Sequence, residues 1–122
     1  MEMYSEAVLR YYELPPNKSK IPGADKHAHV DNPLCGDEIT VYLKIKGGKV
    51  VKASFEGQGC AISQASAAML LESIEGKKLA DVLKTGEKDV LKLLGGAITP
   101  ARLKCAFLGL DALKKSFSEQ ET

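Results

Sequence analysis

Glu38-Ile39-Thr40-Val41-Tyr42-Leu43-Lys44-Ile45-Lys46-Gly47-Gly48-Lys49-Val50-Val51-Lys52-Ala53-Ser54-Phe55-Glu56 is the stretch that decides the fold. Ile39, Val41, Leu43 and Ile45 alternate with Thr40, Tyr42, Lys44 and Lys46. Beyond the two glycines, Val51, Ala53 and Phe55 alternate with Lys52, Ser54 and Glu56. A period of two with one apolar face predicts an antiparallel hairpin, and Gly-Gly can take the positive backbone angles that a two-residue turn requires.

Helical signals flank this hairpin. Val8, Leu9 and Tyr12 lie at helical spacing within 3–13, and Leu14-Pro15-Pro16 stops that helix. A polar connector with Pro22 and Gly23 follows, read as a loop and a candidate mobile segment, and His27 to Val30 forms a short strand. Downstream, no charged residue stands between Glu56 and Glu72, so the helix from Cys60 to Leu71 is buried on most sides and stops at Gly76. Shorter helices follow at Leu79 to Lys84 and Glu87 to Leu94, ended by Gly95-Gly96. The last helix opens with Thr99 as N-cap and Pro100 at its first position, and carries a stripe of Leu103, Ala106, Phe107, Leu110, Leu113 and Phe117.

This order predicts an α+β fold: a small antiparallel three-stranded sheet with helices packed on one face, an N-terminal helix and C-terminal helices. At 122 residues one domain is expected over 1–122, with the N-terminal helix and loop in 1–26 and the core in 27–122. Seventeen basic against sixteen acidic residues indicate neither nucleic acid nor an anionic membrane as partner. No secretory signal pattern and no long apolar run is present, so a cytoplasmic protein is expected.

In a reducing compartment three spaced cysteines point to metal or catalysis rather than to disulfides. Cys35 sits in Asn32-Pro33-Leu34-Cys35-Gly36-Asp37, and an extended chain there would point Cys35 and Asp37 to the same side. Cys60 follows Gly57-Gln58-Gly59 at a helix start, where unpaired amides and the helix dipole should lower its pKa; a small apolar filler is the alternative. Cys105 lies about 200° around the helix from Leu103 and Phe107, off the apolar stripe, so no core role is expected. Arg102 and Lys104 beside it should favour its thiolate and line the site with positive charge. His27 and His29 form an H-x-H whose commoner explanation is exposed strand polarity. Three thiols and a carboxylate supply enough donors for zinc or a small iron-sulfur cluster.

Four motifs in this order carry a resemblance: Met3-Tyr4-Ser5-Glu6, Asn32-Pro33-x-Cys35-Gly36-Asp37, Gly57-x-Gly59-Cys60-Ala61-Ile62-Ser63-x-Ala65-Ser66 and Lys104-Cys105-Ala106. The chain resembles the iron-sulfur cluster scaffold proteins of the IscU, SufU and NifU N-terminal type, over nearly its whole length. The resemblance implies a scaffold, not an enzyme, that takes sulfur from a cysteine desulfurase and iron from an iron donor. It would build a [2Fe-2S] cluster and pass it to apo iron-sulfur proteins. By that analogy Cys35, Cys60 and Cys105 are the thiolate ligands, Asp37 tunes lability or supplies a ligand, and Cys105 receives sulfur.

Two departures stand out. Lys104 occupies the place of the histidine that precedes the third cysteine in the IscU branch; a protonated lysine is no ligand, which makes Asp37 the fourth donor. The Lys is SufU-like, although the spacing from Cys60 to Cys105 is too short for the insertion usual in that branch. Ile98-Thr99-Pro100-Ala101-Arg102 keeps one proline and the basic end of the segment that IscU proteins present to a dedicated Hsp70, which argues against that chaperone. The alternative function is a zinc-bound sulfur acceptor that activates a desulfurase without building a cluster.

Overall fold

The computed structural model describes residues 5–33, 36–95 and 98–118. Helix α1 (Glu6–Glu13) starts where the Ser5 hydroxyl accepts from the Val8 amide at 3.1 Å. Strands β1 (Lys26–Asn32), β2 (Asp37–Lys46) and β3 (Lys49–Gln58) form one antiparallel sheet in the order β1-β2-β3. Helices α2 (Ala61–Ile74), α3 (Leu79–Leu83) and α4 (Glu87–Leu94) follow. A 3-10 turn (Pro100–Arg102) then leads into the short α5 (Leu103–Ala106) and α6 (Leu108–Ser118). The predicted α+β architecture is borne out.

Ala28, Ile39, Val41, Leu43, Ala53 and Phe55 point to one side of the sheet and are buried. Their cover is α2 and α6, which contribute Ile62, Leu70, Leu71 and Leu113 to the same core. Removing a Phe or Leu of this kind from water is worth roughly 1.5–3 kcal/mol, so these layers hold the helices to the sheet. As the absence of charge predicts, every residue from Ile62 to Leu71 is buried. Gly47 and Gly48 both take left-handed angles, φ 61° and 75°, as the hairpin turn requires.

The hairpin departs from simple alternation at one place. The register shifts between Lys44, opposite Lys52, and Ile45, opposite Val50, leaving Val51 as an extra residue. Val50 is therefore the buried residue and Val51 is 50% exposed, the reverse of the expected inward Val51. A bulge flips the faces beyond it, and binary patterning does not report a bulge.

The outer edge of β3 is occupied along its length. The Phe55 amide donates to the Asn17 carbonyl at 3.0 Å, Ala53 to the Glu75 carboxylate at 2.9 Å, and Val50 to the Lys77 carbonyl at 3.0 Å. The connector before β1 is thus fastened to the sheet at Asn17 and also to α2, where the Asn17 amide nitrogen donates to the Ala68 carbonyl. With both flanks tied, β3 holds its last residues at a fixed place beside the start of α2.

The C-terminal helical stretch also differs from expectation. It is interrupted at Phe107 (φ −99°, ψ 2°), and Leu103 and Phe107 are only half-buried, while Cys105, Ala106 and Leu108 are buried. Of the expected stripe, Ala106, Leu110 and Leu113 are buried, while the large Leu103, Phe107 and Phe117 lie at the rim. Cys105, expected off the core, is 1% exposed and packed within it.

Candidate metal centre

Three elements meet at one end of the sheet. Asp37 is the first residue of β2, opposite Asn32 of β1. Cys60 is the N-cap residue of α2, delivered by the end of β3, and Cys105 is in α5. One donor atom from each of Asp37, Cys60 and Cys105 lies within 4.8 Å of the other two. Among the described residues this is the gathering of His, Cys, Asp and Glu side chains close enough to share a metal ion.

Backbone geometry builds the group. The Cys60 amide, one of the unpaired donors at the start of α2, gives its hydrogen to Asp37 Oδ1 at 3.2 Å, and the Cys60 thiol lies 3.6 Å from Oδ2. Asp37 is 3% exposed, so its carboxylate is held by the helix start rather than by water. Gly59 lets the chain pass: a Cβ there would stand 2.5 Å from Asp37 Oδ1 and 2.8 Å from Ser63 Oγ, at φ 151°.

Burial, followed by the hydrogen bond to Asp37 and the charge of Cys60, pushes the Cys105 thiol far above its ordinary value of 9.0. This reverses the expectation that Arg102 and Lys104 ionise it. Lys104 is exposed and Arg102 half-buried, and desolvation of the sulfur together with two acidic neighbours outweighs them. Cys60 and Cys105 are free thiols. A divalent cation would stabilise two thiolates and a carboxylate that otherwise repel one another.

Cys35 lies outside the described residues, as do Met3 and Tyr4 of the first motif and Gly96 of the predicted helix stop. Gly36 donates its amide to the Asn32 carbonyl at 2.8 Å, so the chain turns just before Asp37 where an extended path was expected. His27 and His29 are exposed on β1; His29 bonds Thr40 at 2.8 Å and lies 3.6 Å from Glu38, apart from the thiols.

Ser63, part of the third motif but given no role there, and Gln64, not singled out at all, stand beside the Cys60 cap. Ser63 donates to the Cys60 carbonyl at 3.0 Å, and Gln64 Nε2 donates to Ser63 Oγ at 3.4 Å. The signal was their spacing, three and four residues after Cys60 at a helix start.

The model of the NifU-like N terminal domain matches residues 3–121. The iron-sulfur cluster assembly scaffold protein IscU of Thermotoga maritima is 37% identical over 133 residues, covering 96% of this chain and 94% of that protein. The zinc-dependent sulfurtransferase SufU of Bacillus subtilis is 32% identical over 136 residues, covering 98% and 92%. The crystal structure of FiSufU from Fervidobacterium islandicum AW-1 superposes with a TM-score of 0.80 at 32% identity, covering 93% of this chain and 95% of that one. With the fold, the four motifs and the thiol-carboxylate group in agreement, this chain belongs to the NifU-like N-terminal domain family.

Proposed function

We propose that this protein is a scaffold on which iron and desulfurase-derived sulfur are assembled into a [2Fe-2S] cluster for transfer to apo-proteins, its 122 residues acting as one scaffold domain. The observation that carries the reading is the convergence of Asp37, Cys60 and Cys105 from three elements onto one point. The donor chemistry fits the cargo. Thiolates are the usual ligands of cluster iron, and a carboxylate is a harder, weaker partner. Cys35, three residues after Asn32 and two before Asp37, completes a set of three strong ligands and one weak one. Such a set holds a cluster without trapping it.

The role is that of a carrier. The partners are a cysteine desulfurase, an iron donor and apo iron-sulfur proteins, and the compartment is the cytoplasm, where free thiols persist. Among the described residues no helix is long and apolar enough to cross a membrane. Cys105 is the proposed sulfur acceptor: its sulfur attacks the outer sulfur of the desulfurase persulfide, the persulfide S–S bond breaks, and the Cys105 proton passes to the desulfurase cysteine that leaves. Because Cys105 is 1% exposed, delivery requires α5 to shift, and its four-residue length and the break at Phe107 make it the element suited to that movement.

Anaerobic reconstitution with iron, sulfide and reductant tests the scaffold role. Sulfide-to-iron absorption is expected in the wild type and its loss in Cys35→Ser, Cys60→Ser and Cys105→Ser. Absorption that survives all three substitutions would exclude the site.

A second reading has its own support. Three thiols and Asp37 would supply the four donors of a Cys3Asp zinc site, and Lys104 before Cys105 takes the place of a ligating histidine. On this reading the protein relays sulfur without building a cluster. Stoichiometric zinc, strong activation of a desulfurase and no cluster transfer would favour it.

A further inference from the structure

Gln64 is 2% exposed, and its side-chain oxygen is one of two buried side-chain atoms, with Asn17 Oδ1, that have no hydrogen-bond partner among the described residues. Leaving such an acceptor unsatisfied costs about 1–3 kcal/mol. The amide cannot be turned to relieve it. Ser63 has a single hydroxyl hydrogen and donates it to the Cys60 carbonyl, so toward Gln64 it can only accept, and Gln64 must present its nitrogen there.

Cys60 and Cys105 meet at one end of the contact between α2 and the C-terminal helices. Two turns along α2, Ala67 meets Gly109, where an added Cβ would stand 3.0 Å from it. Gln64, one turn on from Cys60 on the same face, falls between these two contacts. Its side chain leans back toward the helix start, as helical side chains do. Its amide nitrogen is linked through Ser63 Oγ to the Cys60 carbonyl, which ties the side chain to the residue that carries the first thiol of the group.

On the reading that Asp37, Cys60 and Cys105 receive metal, we propose that Gln64 is a specificity-determining residue for the cargo, its amide oxygen an added donor that favours ferrous iron over zinc. Zinc is complete with four ligands of thiolate and carboxylate type. Ferrous iron takes further oxygen donors, and an uncharged carbonyl oxygen supplies one without adding to the negative charge of the site. Ser63 is the positioning residue that aims it.

Titration of metal-free protein with Fe2+ alone and with Zn2+ alone, anaerobically and without sulfide, tests this. Gln64→Leu is expected to weaken Fe2+ binding on the order of tenfold and to leave Zn2+ binding unchanged, and X-ray absorption at the iron edge should lose one oxygen donor. Gln64→Met, which keeps the volume and removes both the amide oxygen and its nitrogen, should retain the fold and lose the preference for iron as Gln64→Leu does. If the amide oxygen merely holds a buried water, Gln64→Leu alters the melting of the metal-free protein and leaves the iron-to-zinc ratio where it was, which overturns the proposal. Equal weakening of both metals overturns it too. A Cys60→Ser, Cys105→Ser double variant that still binds both ions would instead sink the metal-centre reading itself, and with it the role of Gln64.

Discussion

Asp37 and Cys60 are joined twice: the Cys60 amide donates to one carboxylate oxygen at 3.2 Å, and its thiol lies 3.6 Å from the other. The carboxylate at the head of β2 is thereby bound to the first residue of the α2 cap. A strand and a helix that are distant in sequence share one ligand-bearing joint. Replacing Asp37 with Cys should turn the weak donor into a fourth strong one, and the reconstituted cluster should then leave more slowly. The half-time of transfer to an apo-ferredoxin measures this, and transfer as fast as wild type would contradict it.

Gly59→Ala places a methyl against Asp37 and Ser63 at a backbone angle that side chains rarely adopt. A loss of roughly 1–3 kcal/mol is expected, with weaker metal retention. Thermal melts with and without zinc report both, and an unchanged pair of melting curves would show that the carboxylate is not held as described.

The Cys105 thiol is pushed above its ordinary value of 9.0, first by burial and then by Asp37 and Cys60. Below that value both folded and unfolded chains keep the proton and the group adds nothing to pH dependence. Above it the unfolded chain ionises while the folded one retains the proton, so metal-free stability should fall as pH rises from about 8 to 10, and Cys105→Ser should flatten the fall. Metal binding must expel that proton. Zinc affinity should therefore weaken as pH drops, with proton release visible in calorimetry across buffers of different ionisation enthalpy.

Tyr11 donates its hydroxyl to Glu72 and ties α1 to α2, while Leu9, Tyr12 and Leu14 of the same segment are exposed. Tyr11→Phe is expected to cost about 0.5–1.5 kcal/mol. The loss should appear as faster amide exchange in α1 alone, since Val8 is the buried residue that remains to anchor it. Uniformly faster exchange across the sheet would refute so local a role.

Val50→Thr and Val51→Thr differ by one position and should differ in consequence. The first buries a hydroxyl where Val50 is fully enclosed and should cost about 1–3 kcal/mol; the second alters a half-exposed side chain and should fall within about 0.5 kcal/mol of wild type. Denaturant midpoints decide it.

That pair also marks where the sequence stops being legible. Alternation placed Ile39, Val41, Leu43, Ala53 and Phe55 correctly, because a single buried face imposes a period of two. It failed at Val51, because the extra residue of a bulge looks like any other in a binary pattern. The charge-free run from Cys60 identified α2 as buried, for the hydrophobic reason that no side chain there needs water. Cys105 was misjudged because Leu103 and Phe107 are large and apolar yet lie at the rim, whereas the small sulfur fits the interior. The meeting of Asp37, Cys60 and Cys105 was expected from resemblance, but the amide that holds Asp37 is a tertiary contact with no local signature. Ser63 entered only as part of a motif and Gln64 not at all, because the hydrogen bonds that link them to the Cys60 carbonyl leave no mark on the hydrophobic pattern.

The donors come from the head of β2, the cap of α2 and the short α5, the last of them near the end of the chain. No two adjacent segments hold them together. During synthesis, a chain that has emerged only as far as α4 offers iron or zinc two of its three thiols and no closed site. The group of Asp37, Cys60 and Cys105 therefore closes only when α5 has packed against the start of α2.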